Sequence, residues 1–147
     1  MKPVRTLVLI ANEREARILE NAGVGKGLAE LSSLDASAIN SEAIEYADTP
    51  GRSRAAPGTA RHGFEPPTSE RRQARDAFAA HVLDALHAQA AKGGHERLIL
   101  AAPPKMLGEL RGGLGQLADK VTGSLDKDIV KVPARDLPRH FEAIAAF

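Results

Sequence analysis

The sequence of 147 residues has no cysteine and no tryptophan, and its aromatic residues are limited to one tyrosine and four phenylalanines. Without cysteine the chain has no disulfide, no thiol nucleophile and no zinc-thiolate site, which is typical of a protein from a reducing compartment. The scarcity of aromatic rings argues against a platform that stacks single-stranded bases. These absences predict a cytoplasmic protein that relies neither on cysteine chemistry nor on base stacking.

Long hydrophobic runs are absent too. No apolar stretch approaches the roughly 20 residues that a membrane-spanning helix needs. The first residues, MKPVRTLVLIANERE, reach charged positions too soon for a secretory signal. We therefore expect no contact with a membrane. A chain of this length can bury roughly two-thirds of its unfolded surface in one core, so residues 1–147 are predicted to form a single domain.

The net charge is only +1, so any attraction to nucleic acid has to be local. Six arginines and only two acidic residues fall within residues 51–75, whereas residues 19–48 contain one lysine and six acids. The basic region begins with GRSRAAPGTARHG at 51–63, whose glycine, proline, serine and threonine content is typical of open chain. Loops of this length are usually functional or disordered, and we predict a flexible basic loop at about 48–67.

The hydrophobic pattern predicts strands first and then alternating helices and strands. Apolar runs at 5–11, 16–21 and 28–34 favour a three-stranded meander, and those at 97–103 and 120–125 favour two further strands. This order is typical of an α/β domain with a mixed sheet and flanking helices.

A helix of about six turns is predicted between the basic loop and the fourth strand. Ser69 is its candidate N-cap, and Gly93 and Gly94 mark its end. Apolar residues recur every four positions along one face, which predicts a core-facing stripe of Ala74, Phe78, Val82, Leu86 and Ala90. A short helix follows at 103–115, and the last 15 residues predict an amphipathic helix that buries Leu137, Phe141, Ile144 and Phe147.

Glycines near residue 113 suggest a phosphate loop or a Gly-Gly-Gln variant, but the spacing fits neither. Gly112, Gly113 and Gln116 lie in RGGLGQ, which matches neither the Walker pattern nor the dinucleotide pattern. We interpret these glycines as a break between two short helical segments.

Acidic and histidine residues also lack the arrangement that catalysis requires. Asp126 and Asp128 could share a divalent cation, but an exposed charged turn is the favoured interpretation. The first strand offers no acid to complete a two-metal site with Glu13, Glu15 and Glu20, and the five histidines have no metal-ligand spacing. The sequence therefore predicts no enzyme, no cofactor and no metal. The remaining alternative is a metal-dependent hydrolase that uses the two aspartates and an acid of the first turn.

The order of features resembles a known bacterial family. LVLIANEREARILEN, the basic loop with RHGFEPPTSE, the long helix, LILAAPPKMLGELR and SLDKDI together resemble the host attachment proteins, or "protein required for attachment to host cells". The resemblance covers nearly the whole chain, and the last two segments are its most specific part. That family is similar to the middle domain of archaeal and eukaryotic class I release factors and of Pelota, which implies a ribonuclease H-like topology.

In release factors the equivalent loop carries a Gly-Gly-Gln tripeptide that promotes hydrolysis of peptidyl-tRNA. Residues 51–68 contain no glutamine, so the resemblance does not imply peptide release. The Pelota-like middle domain, which also lacks the tripeptide, is the nearer analogy. It implies a non-catalytic, translation-related binding protein.

Cationic side chains of the loop and of the helix starts are the candidate contact residues. Three arginines in the first turns of the long helix have the wrong sign for its positive end, which a nearby anion would relieve. Lys105 follows the fourth predicted strand, and open α/β sheets bind ligands at the carboxyl ends of their strands. The predicted contacts with the ribosome, structured RNA or, alternatively, a protein partner in host attachment are Arg52, Arg54, Arg61, His62, Arg71, Arg72, Arg75, Lys105 and Arg111.

Overall fold

Five strands form one mixed β-sheet in the computed structural model, which describes residues 4–37 and 67–147. The first three strands, β1 (Thr6–Ala11), β2 (Glu15–Asn21) and β3 (Ala29–Asp35), pair antiparallel as a meander. The strands β4 (Arg97–Ala101) and β5 (Val121–Leu125) add in parallel on the other side of β1. The spatial order β3-β2-β1-β4-β5 confirms the predicted mixed sheet of an α/β protein.

The burial of the strands follows their place in the sheet. All six residues of β1 are buried, because β1 lies between two strands and both faces of the sheet are covered. Four of the five residues of β4 are buried as well. The edge strand β3 is largely exposed, and its apolar residues are correspondingly few.

Two helices cover one face of the sheet. They are α1 (Pro67–Ala91) and α2 (Pro104–Gly112), and a 3-10 helix (Gly115–Lys120) leads from α2 into β5. The core on this face joins side chains of the sheet to Phe78, Val82, Leu86, Met106 and Leu110. The predicted break at the glycines is confirmed, since α2 ends at Gly112 and the 3-10 helix begins at Gly115.

The C-terminal segment covers the other face. It contains a 3-10 turn (Ala134–Asp136) and the one-turn helix α3 (Leu137–His140), and it buries apolar side chains against β1 and β4. Arg17 of β2 holds this segment in place, because its Nη1 donates to the carbonyl oxygens of Val130 at 3.0 Å and Val132 at 2.6 Å.

Helix α1 differs from its prediction at the start. It begins at Pro67, two residues before the predicted N-cap Ser69, because proline fits the first turn of a helix, where its missing N–H is not needed. Ala74 is exposed and does not join the predicted stripe, whereas Phe78, Val82 and Leu86 are buried as predicted. Residues 70–74 are all exposed, so the first turns of α1 project beyond the part of the helix that packs on the sheet.

The C-terminal helix is much shorter than predicted. Leu137 and Phe141 are buried as expected, but the helix ends at His140. The rings of Phe141 and Phe147 lie 5.6 Å apart in an edge-on arrangement. Residues six apart in a continuous helix point in directions about 120° apart. The two rings can therefore meet only because the chain leaves the helix between them.

Candidate functional site

Asn12 shapes the turn at the carboxyl end of β1, where the candidate site begins. Its Oδ1 accepts hydrogen bonds from the backbone N–H groups of Arg14 at 2.8 Å and Glu15 at 2.7 Å. Its Nδ2 donates to Oδ2 of Asp128 at 3.1 Å, which ties the turn to the chain beyond β5. This fixed turn presents Glu13 and Arg14 to solvent, and both are exposed.

The end of the β3 strand reaches the same turn. The backbone N–H of Ala36 donates to the carbonyl oxygen of Arg14 at 2.7 Å. The described chain stops one residue later, at Ser37, and resumes at Pro67 with the first turn of α1. Residues 48–66 of the predicted basic loop, with Arg52, Arg54, Arg61 and His62, lie outside the described residues.

Helix α1 contributes two arginines one turn apart. Arg71 is exposed, while the side chain of Arg75 is only 12% exposed. Nη1 of Arg75 lies 3.3 Å from Oε1 of Glu13, and this ion pair links the helix to the turn after β1. Nε of Arg75 is buried and has no hydrogen-bond acceptor among residues 4–37 and 67–147.

These elements enclose a cavity of about 390 Å³ between α1 and the β1–β2 turn. Its charged lining consists of three guanidinium groups and one carboxylate, which gives the described lining a net charge of +2. Small and apolar side chains complete the wall. We refer to this cavity as the arginine cleft, and it is lined by Glu13, Arg14, Ala36, Arg71, Ala74, Arg75, Ala77 and Phe78.

The structure brings only some of the predicted contact residues together. Arg71 and Arg75 line the arginine cleft, and Arg72 is exposed beside them on α1. Lys105 is exposed in the first turn of α2. Arg111 lies at the other end of α2, where its Nη2 donates to Oγ of Ser124, so it does not belong to the cleft.

Glu13 and Arg14 belong to the cleft although they are not among the predicted contacts. The sequence does carry a signal for them: NERE directly follows a buried strand, and the carboxyl ends of parallel strands are the edge where open α/β sheets bind ligands. The charge pattern alone did not indicate that this turn faces the start of the long helix.

The acids of the first two strands do not form a common site. Glu20 lies at the amino end of β1 and β4, away from the turn at Glu13, and there Arg5 donates to its Oε1 and Nε2 of His95 lies 2.9 Å from the same oxygen. Burial raises the pKa of the Glu20 carboxyl, but hydrogen bonds and charges from Arg5 and His95 outweigh it and hold the pKa below 4.5. Glu15 pairs with a different residue, since its Oε1 lies 3.9 Å from Nζ of Lys131.

The aspartates considered for cation binding are also separated from further ligands. Asp128 accepts a hydrogen bond from Asn12 and a second one from the backbone N–H of Val130 at 3.3 Å. Within residues 4–37 and 67–147, no three acidic or histidine side chains come together as a metal site would require. None of the helices in these two ranges combines the length and the apolar character needed to cross a membrane.

Comparison with solved structures defines the class of fold. The Pelota protein of Thermoplasma acidophilum superimposes with a TM-score of 0.53 at 11% identity, over 96% of this chain and 33% of that chain. The archaeal translation termination factor aRF1 gives a TM-score of 0.52 at 16% identity, over 95% of this chain and 38% of that chain. The fold is therefore the release-factor-like α/β fold, and the chain spans only 33% to 38% of the length of these proteins.

The family follows from the sequence itself. Residues 7–141 match the family described as "Protein required for attachment to host cells", and the chain belongs to this family. A search of curated proteins found no match. The predicted resemblance to this family, and its likeness in fold to Pelota and a release factor, are both confirmed.

Proposed function

We propose that this chain is a non-catalytic, cytoplasmic binding protein that contacts the ribosome or structured RNA through the basic segment at about 48–67 and the start of α1. The observation that carries this proposal is the projecting start of α1, which holds Arg71 and Arg72 in solvent. Lys105, exposed in the first turn of α2, is a further cationic side chain of the proposed contact. In this proposal residues 1–147 form one domain, and residues 48–67 are its cationic contact loop.

The position of the arginines supports a polyanionic partner. Among the residues that the structure describes, neither Arg71 nor Arg72 has an ion-pair partner. Both lie exposed in the second turn of α1. Arginine is well suited to phosphate groups at this surface because its guanidinium makes paired hydrogen bonds.

The likeness in fold supports a role in translation. Two of the similar solved structures are a translation termination factor and Pelota. Peptide release is not part of the proposal, because residues 51–68 contain no Gly-Gly-Gln sequence and no glutamine at all.

Cosedimentation with ribosomes at low salt tests this proposal with matched variants. The double variant Arg71→Ala/Arg72→Ala should weaken binding, because it removes two phosphate contacts. The control Arg135→Ala/Arg139→Ala removes the same charge from two exposed arginines of the C-terminal segment, which covers the face of the sheet opposite α1. This control should bind ribosomes as well as the unaltered protein does. Equal losses in both variants, or no binding at all, would refute a contact at α1.

The family description favours a second candidate, a protein-interaction factor that takes part in attachment to host cells. In that case the same cationic surface would dock on an acidic protein. Pulldown from lysate with and without nuclease separates the two candidates. Partners that disappear after nuclease treatment support RNA contact, whereas partners that are retained support a protein contact.

A further inference from the structure

The arginine cleft holds more positive charge than its own residues neutralise. Arg71 and Arg75 lie four residues apart, which places them on the same side of α1. Like charges at this spacing repel each other. Arg14 adds a third guanidinium from the β1–β2 turn, and Glu13 is the only carboxylate in the described lining.

Arg75 is the most unusual of these residues. Its side chain is 12% exposed, and its ion pair with Glu13 uses Nη1. Within the described part of the chain, its buried Nε has no acceptor. A buried donor without an acceptor is costly and rare in folded proteins. The arrangement is therefore incomplete, and an oxyanion that accepts from both Nε and an Nη group would complete it.

We propose that the arginine cleft binds a phosphate monoester group. Such a group carries a charge of about −1.5 to −2 at neutral pH, which matches the net charge of +2 on the described lining. A phosphodiester, with a single negative charge, matches it less well. The volume of about 390 Å³ has the size of a small-ligand pocket and has room for a nucleotide.

Recognition in this cleft rests on the phosphate and not on a base. Phe78 is the only aromatic ring in the described lining, and it is 1% exposed, so it offers no face for stacking. Ala74 and Ala77 leave space beside the arginines. The monoester can belong to a free nucleotide or to the terminal phosphate of an RNA strand, because both present the same group.

Glu13 holds an Nη group of Arg75 that the phosphate would use. Its side chain is 45% exposed, so the carboxylate can turn out into water when a phosphate arrives. Release from Glu13 frees Nη1 of Arg75 for a hydrogen bond to phosphate, in addition to Nε, which has no acceptor among the described residues. Glu13 thus competes with the ligand, and its neutralisation strengthens binding.

The test is calorimetric titration of the full chain with inorganic phosphate and with adenosine 5′-monophosphate at low salt. Glu13→Gln should bind both probes about three- to tenfold more tightly, and Arg71→Gln about three- to tenfold more weakly. The matched controls are Glu142→Gln and Arg139→Gln, which change the same charges at exposed positions outside the cleft and should leave binding unchanged. Failure of either probe to bind, or a Glu13→Gln variant that binds no more tightly, would overturn the proposal.

Two RNA oligonucleotides of the same sequence, one with a 5′-phosphate and one with a 5′-hydroxyl, show whether the site takes the phosphate of an RNA end or that of a free nucleotide. Preference for the phosphorylated strand over adenosine 5′-monophosphate assigns the site to RNA ends, and the reverse assigns it to nucleotides. The inference rests on the proposed function only in that both use Arg71. Different results contradict the two proposals. The proposed function is contradicted if the protein does not bind ribosomes, whereas the cleft proposal is contradicted if the protein does not bind inorganic phosphate.

Discussion

Nη1 of Arg75 lies 3.3 Å from Oε1 of Glu13, although the two residues are 62 positions apart in the sequence. This ion pair fixes the start of the long helix against the turn at the carboxyl end of β1. Arg14 and Ala36 join them because the backbone of Ala36 is hydrogen bonded to that of Arg14. The cationic surface is therefore assembled from three separate parts of the chain.

Phe78 should be essential for the stability of the fold. It is 1% exposed and belongs to the core between α1 and the sheet. We expect Phe78→Ala to lower the free energy of unfolding by about 3 to 5 kcal/mol, because it leaves a cavity in a packed core. Urea unfolding followed by circular dichroism measures this. Gln73→Ala, at an exposed position of the same helix, is the control and should change stability by less than about 0.5 kcal/mol.

Gly113 and Gly112 should respond in opposite ways to alanine. A Cβ on Gly113 would overlap Cδ1 of Leu83, whereas a Cβ on Gly112 would meet no atom within 4 Å. We expect Gly113→Ala to destabilise the protein by about 0.5 to 1.5 kcal/mol, because the partly exposed Leu83 side chain has to leave its preferred rotamer. Gly112→Ala should be neutral or slightly stabilising, since alanine favours the helix that Gly112 ends. Equal melting temperatures for the two variants would contradict the contact between α2 and α1.

Glu20 should make the stability of the fold depend on acid pH. The pKa of its carboxyl is lower in the folded protein than the ordinary 4.5, because the effects of Arg5 and His95 exceed the opposing effect of burial. A group of this kind adds stability that is fully present above about pH 4.5 and is lost as the pH falls through the lower, folded-state pKa. Glu20→Gln should therefore show a smaller loss of stability on acidification. The urea midpoint at several pH values measures this, with Glu96→Gln, at an exposed position, as the control. An unchanged pH profile in Glu20→Gln would contradict the prediction.

The elements that local sequence determines were predicted well. The apolar run of β1 is buried along its whole length, and the fourfold spacing from Phe78 to Leu86 marks the side of α1 that packs on the sheet. The glycine pair that ends α1 has positive φ angles of 85° and 90°, which glycine adopts readily. These features depend on residues close in sequence, so a pattern reveals them.

The features that depend on distant contacts could not be predicted in this way. The arginine cleft requires the turn at Glu13 to meet Arg75, and no periodicity indicates that meeting. The contact between Phe141 and Phe147 likewise depends on the early end of α3, which the helical spacing of the apolar residues does not indicate. Arg111 looked like a free cation in the sequence, but Ser124 accepts a hydrogen bond from it across the space between α2 and β5.

The salt dependence of binding to ribosomes or structured RNA tests the central claim most directly. Contacts with phosphates release counterions, so log affinity should fall linearly with log salt concentration, by about 0.7 to 0.9 for each phosphate contact. We expect a clear negative slope for the unaltered protein and a shallower one for Arg71→Ala/Arg72→Ala, by about one for each arginine removed. Absence of binding at low salt, or an affinity that does not change with salt, would contradict the account.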